Sequence, residues 1–252
     1  MNEDVRYSAP EAALVEAQAA GEYGSVEKGL AGDYEFRIGD IFSAAWQAIR
    51  GNKWKLNIVA AVVFLIALAY TAIVALLGFL SGTDGTSIGG YLLKLPVDLV
   101  YYAISAVVTT GLCVMGAKVS MGLPTAGTGE LFRYMGRAPA ALLTYILMMI
   151  LILIGTLLLI LPGIYLAFAY IYALPLAVEK GMSPWQALET SRKTVTHKWF
   201  TMFGFGLAIG VLFLLGALTL GIAYIWLTPF AIVAYGMVYR NLFGLEQESL
   251  SG

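Results

Sequence analysis

Few residues in this chain are of a type that does chemistry, and their spacing limits what that chemistry can be. Its 252 residues include one histidine, His197, and one cysteine, Cys113. A metal site needs several ligands converging on one point, and neither residue has a second His or Cys to join it. Phosphate-cradling glycine loops, paired metal ligands and a nucleophile with its base are not found in the sequence. No catalytic residue, metal or cofactor is therefore expected, and the chain reads as non-enzymatic. Cys113 lies inside an apolar run, which suits a structural thiol.

Two polar groups of residues remain. Arg50, Lys53, Lys55, Arg133, Arg137, Arg192, Lys193 and Lys198 fall beside apolar stretches. There each base can attract an anionic lipid head group by about 1 kcal/mol, or serve only to set topology. Asp98 is the one acid near the start of an apolar stretch, and an acid inside a membrane is by default an ion or proton site. Pro96, however, reads as the first turn of a helix, which places Asp98 at that helix N-terminus with Lys94 in reach. Asp98, Thr109, Thr110, Tyr165 and Tyr172 could line a polar pathway, although such hydroxyls also bond to neighbouring helices. Gly206 and Gly210, in "GLAIG", form a small-residue pair that permits close helix approach, within the chain or between two copies.

The elements that must hold these residues are apolar. Hydrophobic residues make up 60% of the chain and charged ones 12%, against about a quarter charged in soluble proteins. Six uncharged or nearly uncharged stretches stand out, at Asn57 to Leu80, Val97 to Val119, Ala140 to Leu161, Gly163 to Val178, Trp199 to Leu220 and Gly221 to Phe243. Most are long enough to cross about 30 Å of hydrocarbon; the fourth is short, and Pro175 should kink or end it. The expectation is an all-α polytopic membrane protein with six transmembrane helices. Arg37, Arg50, Lys53, Lys55, Lys118, Arg133, Arg137, Lys180, Arg192, Lys193, Lys198 and Arg240 would share one side, with Lys94 alone on the other. Basic residues stay in the cytoplasm, so both termini are expected there, with Ser81 to Pro96 and the turns near Pro162 and Gly221 outside.

Residues 1–34 are acidic and poor in large apolar groups, which predicts a flexible cytoplasmic tail with a short helix near Glu11 to Ala20. Such a tail gives nucleic-acid binding no support. Residues 35–243 form the membrane domain and 244–252 a cytoplasmic C-terminal tail. "SPWQALETSRKTVTHKW", residues 183–199, has Ser183 as N-cap, Pro184 at the first position and Glu189 four residues before Lys193. Trp185, Leu188, Val195 and Trp199 share one arc, so this segment is expected in the interface plane, bases toward phosphates. Similar segments at 38–54 and 127–139 also precede apolar hairpins, which suggests three units of interfacial helix plus hairpin.

Residues 161–192, "LPGIYLAFAYIYALPLAVEKGMSPWQALETSR", carry a resemblance. Pro162-Gly163-Ile164-Tyr165, Ala173-Leu174-Pro175, Gly181, Pro184, Ala187-Leu188 and Ser191 resemble bacterial inner-membrane proteins of the YciC type and the membrane domain fused to some glycerophosphodiester phosphodiesterases. The resemblance implies topology and the bacterial cytoplasmic membrane rather than a reaction, because a phosphodiesterase barrel needs roughly 200 soluble residues. The function expected is a lipid-associated interaction or scaffold module contacting anionic head groups. The alternative is a transporter or channel-like protein, alone or as a homo-oligomer, for a small or amphipathic substrate.

Overall fold

Backbone polar groups in apolar surroundings must satisfy one another, and a helix does this within a single segment. A computed structural model describes residues 23–82 and 87–250. Every regular element among them is helical: α1 (Val26–Ala31), α2 (Ile38–Ala48), α3 (Lys53–Ser81), α4 (Ile88–Ser120), α5 (Thr128–Phe132), α6 (Ala138–Leu158), α7 (Ile160–Ala169), α8 (Ala173–Val178), α9 (Pro184–Thr196), α10 (Trp199–Ala217), α11 (Tyr224–Phe243) and α12 (Gln247–Leu250), with a 3-10 turn at Met135–Arg137. Four helices are long and apolar enough to cross a membrane: α3, α4, the stretch Thr128–Leu158 and α10.

The fourth apolar stretch is not one helix. Leu159 is extended (φ −160°, ψ 141°) and separates α6 from α7, so the turn precedes Pro162, which sits in the first turn of α7 where its missing N–H costs nothing. The stretch breaks again at Tyr170–Tyr172, leaving helices of 10 and 6 residues. Pro175 cannot bond the carbonyl of Ile171; the Tyr235 hydroxyl donates to that carbonyl at 2.7 Å instead. Ser191 closes the same gap, donating to the Ala169 carbonyl at 2.7 Å and accepting from the Tyr172 amide at 3.3 Å. Pro229 inside α11 is handled alike, since the Asn57 amide donates to the carbonyl of Ile225 at 2.9 Å.

α4 begins nine residues earlier than expected, at Ile88, because Ser87 caps it by accepting from the Gly90 amide at 3.2 Å. Pro96 is therefore internal, and Asp98 lies about three turns into the helix rather than in its first turn. The order of the hairpins also differs from the expectation. Tyr102 of α4 stacks on Tyr145 of α6, while farther along α4 Gly111 lies against the Glu130 and Leu131 backbone and Lys118 pairs with Glu130. α4 and the 128–158 stretch are thus antiparallel, and the start of α4 and Leu159 lie toward one end. The Gly221 turn lies at the other: Lys53, which opens α3, has its ammonium 4.5 Å over the Trp226 ring. Leu159 and the Gly221 turn therefore do not share one end. Asn57 provides the reason, because its bond to the carbonyl freed by Pro229 fixes the start of α11 beside the start of α3.

Residues 1–22 lie outside the described residues, and with them the helix expected near Glu11 to Ala20. The described part of the expected flexible tail is docked. Ser25 caps α1, Tyr34 and Phe36 are buried, and the Gly24 amide donates to the Arg240 carbonyl at 3.2 Å. A side chain at Gly29 would sit 2.7 Å from the Leu242 carbonyl, so glycine is what lets α1 approach α11. The C-terminal tail is docked as well, with Ser249 and Leu250 buried. The shorter helices α2, α5 and α9, of 11, 5 and 13 residues, precede α3, α6 and α10.

Candidate functional site

The eight basic residues singled out above divide into two groups. Five are engaged by partners within the chain. Arg133 pairs with Glu130 at 3.5 Å and reaches the Glu248 carbonyl; Arg137 donates to the carbonyls of Val178 (2.6 Å) and Glu179 (3.2 Å). Arg192 binds Glu189 through two bonds, of 2.8 and 3.0 Å, and Lys193 pairs with the same carboxylate at 3.3 Å. These hydrogen bonds, Arg192's first, hold the Glu189 carboxyl below its usual range. Lys198 donates to the Tyr34 carbonyl and lies 4.8 Å over the Tyr34 ring.

α9 is accordingly a packed helix rather than one lying free on a lipid surface. Ser183 caps it through the Gln186 amide, as the sequence suggests, but its buried face carries Ala187, Leu188, Ser191 and Val195, while Trp185 is 60% exposed. His197, at its end, bonds the Leu30 carbonyl at 3.0 Å. His197, Lys198 and the Thr194 carbonyl, which accepts from the Tyr34 hydroxyl at 2.8 Å, together hold the segment after α1.

Burial pushes the Tyr34 phenol up to about 12. A folded-state value above the unfolded one, about 10, means that the native state keeps its proton longer. Stability from this site is complete below about pH 10 and lost as pH rises toward 12. Denaturant titrations across that range should show a smaller alkaline loss for Tyr34→Phe than for the wild type; equal losses would exclude Tyr34 as a contributor.

Arg50, Lys53 and Lys55 form the second group. Among the described residues none of the three has a carboxylate or carbonyl partner. Arg50 and Lys55 are exposed, and Lys53 is held only by ring faces, 4.5 Å from the centroid of Trp226 and 5.3 Å from that of Trp54. Arg50 and Lys53 border a hollow of ≈ 380 Å³ lined also by Trp46, Ile49, Gly51 and Trp226. Cations beside indole rings at the foot of a long apolar helix are the combination that suits a phosphate head group with its acyl chains below.

The residues expected to line a pathway are scattered. Asp98 and Thr109 face α3. Thr110 is buried on another side of α4, bonded to the Ala106 carbonyl at 3.2 Å, and the Tyr165 hydroxyl meets the Thr196 hydroxyl at 2.6 Å. Tyr172 is buried among Tyr235, Tyr239 and Phe243, so that part of the interior is filled with rings. A side chain at Gly206 would strike the Phe168 ring, whereas Gly210 faces open space; the pair does not make one contact surface within the chain. Cys113 is buried, and no cluster of three His, Cys, Asp or Glu exists among the described residues.

Two buried charge sites were not visible in the sequence. Lys118 and Glu130, both fully buried, pair at 3.6 Å and fix α5 on α4. The buried carboxylate of Glu179 accepts from the Tyr239 hydroxyl (2.8 Å), the Ser249 hydroxyl (2.8 Å) and the Glu246 amide (2.7 Å). Comparison with known families, with curated proteins and with solved structures finds no match for this chain.

Proposed function

We infer that this protein is a non-enzymatic, lipid-associated interaction or scaffold module of the bacterial cytoplasmic membrane, and that Arg50, Lys53 and Lys55 hold an anionic lipid head group. The observation that carries this reading is the division among the bases: five are engaged by acceptors of the chain, and the remaining three fall within residues 50–55, with Arg50 and Lys53 bordering an indole-lined hollow. In this reading α3, α4, the Thr128–Leu158 stretch and α10 lie in lipid. The polar layer of α1, α9 and the C-terminal residues faces the cytoplasm, as the resemblance of residues 161–192 implies. The bond between Gly24 and Arg240 supports both chain ends being on one side.

The test is retention of phosphatidylglycerol by the purified full chain in nanodiscs, counted by native mass spectrometry. Neutralising Arg50, Lys53 and Lys55 together with glutamine should weaken binding by up to about 100-fold, about 1 kcal/mol per base. Neutralising Lys193 should weaken retention far less than the triple change, because its ammonium is held by the Glu189 carboxylate that Arg192 also binds. Wild-type retention in the triple variant would refute the assignment.

A further inference from the structure

The hairpin of α3 and α4 holds a polar stripe where a purely apolar seam would serve a membrane protein better. Asp98, Tyr101, Ser105, Thr109 and Leu112 recur at intervals of three and four, which places them on one face of α4. That face meets Val63, Ile66 and Tyr70 of α3. Tyr70 stacks on Tyr101 with centroids 3.9 Å apart and donates its hydroxyl to the Asp98 carboxylate at 2.9 Å. Among the described residues this is the only hydrogen bond or ion pair Asp98 makes. Lys94, one turn away, lies over the Tyr91 ring at 5.2 Å and forms no ion pair with it.

Beside the stripe is a cavity of ≈ 230 Å³, lined by Tyr101, Ser105 and Thr109 on one side and by aliphatic Val63, Ile66 and Leu112 among others. Thr109 spends its proton on the Ser105 carbonyl at 2.8 Å, while the Ser105 hydroxyl makes no hydrogen bond among the described residues. The cavity therefore offers the side of the Tyr101 ring that Tyr70 leaves uncovered, two hydroxyl oxygens and aliphatic walls, and the Asp98 carboxylate lies just outside its lining, one helical turn from Tyr101.

The geometry points to a binding site for a small organic ammonium ion, its charge against Asp98 and the Tyr101 ring and its alkyl groups against the aliphatic wall. A hard metal cation is a poor fit, since calcium takes six to eight oxygen ligands and magnesium six in strict geometry. An alkylated ammonium needs few oxygens, and aromatic faces attract it directly. This site is separate from the basic collar: Tyr70 is 17 residues from Lys53, about 25 Å along α3 at about 1.5 Å per residue.

The probe is benzyltrimethylammonium, titrated calorimetrically into the detergent-solubilised full chain. Saturable binding is expected, weakened about tenfold or more in Asp98→Asn and about threefold in Tyr101→Leu, which keeps the acid but removes the ring face. Absence of saturable binding to the wild type overturns the proposal, as does wild-type affinity in a folded Asp98→Asn. Should Asp98→Asn fail to fold, Tyr101→Leu decides, and unchanged affinity there overturns the proposal equally.

Discussion

Glu179→Ala is expected to lower stability by about 3–5 kcal/mol, the cost of removing one member of a buried charged network. The carboxylate is 3% exposed as a residue and gathers groups from distant parts of the chain: Tyr239 in α11, Ser249 in α12, the Glu246 amide before it, and the neighbouring Lys180 ammonium at 3.6 Å. Alanine leaves these donors unsatisfied in a buried site, and each unmet buried donor costs about 1–3 kcal/mol. The Ser249 hydroxyl would retain Tyr134 at 2.8 Å, so the residual network is not zero. Two measurements check this. The midpoint of unfolding by SDS in mixed micelles should fall sharply, and carboxypeptidase should digest residues 244–250 faster. A variant with a wild-type midpoint and a protected tail would show that the carboxylate does not hold the C-terminus.

Gly236→Ala is expected to cost about 3 kcal/mol or more, the upper end of overpacking penalties. Here α11 and α4 touch backbone to backbone. A methyl group at Gly236 would lie 2.6 Å from the carbonyl carbon of Gly116 and overlap the Ala117 amide and the Cys113 carbonyl; one at Gly116 would overlap the Ile232 carbonyl. Helix backbones cannot step aside as a flexible side chain can, so the two helices must separate. Gly210→Ala is the contrasting variant. It meets nothing within 4 Å and should be neutral or stabilising by up to about 1 kcal/mol, the difference in helix propensity. Equal effects at the two positions would contradict this packing.

That contrast shows what the sequence could and could not convey. Gly206 and Gly210 attract attention because they stand four apart on one helix. The backbone-to-backbone contact of α4 and α11 uses Gly116 and Gly236, glycines 120 residues apart that leave no local pattern. The long apolar helices were legible because hydrophobicity sums over twenty residues, and the start of α9 because Ser183 and Pro184 act through adjacent backbone. The break at Tyr170–Tyr172 was not legible, since the groups that satisfy it, Ser191 and Tyr235, arrive from two other helices. The same holds for the bases. Their positions suggested head-group contacts for all eight, but whether a base is spent depends on acceptors such as the Tyr34 carbonyl, 164 residues from Lys198. Pro96 has the local signature of a first turn, which puts Asp98 at a helix end, and only the cap at Ser87 places it deep within α4.

The seam where Gly24 meets Arg240 and Gly244 sets an order on biosynthesis. Residues 23–36 are made well before their docking surface on α11, which leaves the ribosome about 220 residues later. At about 5–20 residues per second the leading segment waits roughly 10–45 s before it can find its place. Tyr34 and Phe36 stay uncovered until α9 and α10 follow with Thr194, Lys198 and Phe205, and until then the nascent chain offers them to whatever chaperone or lipid surface is nearby.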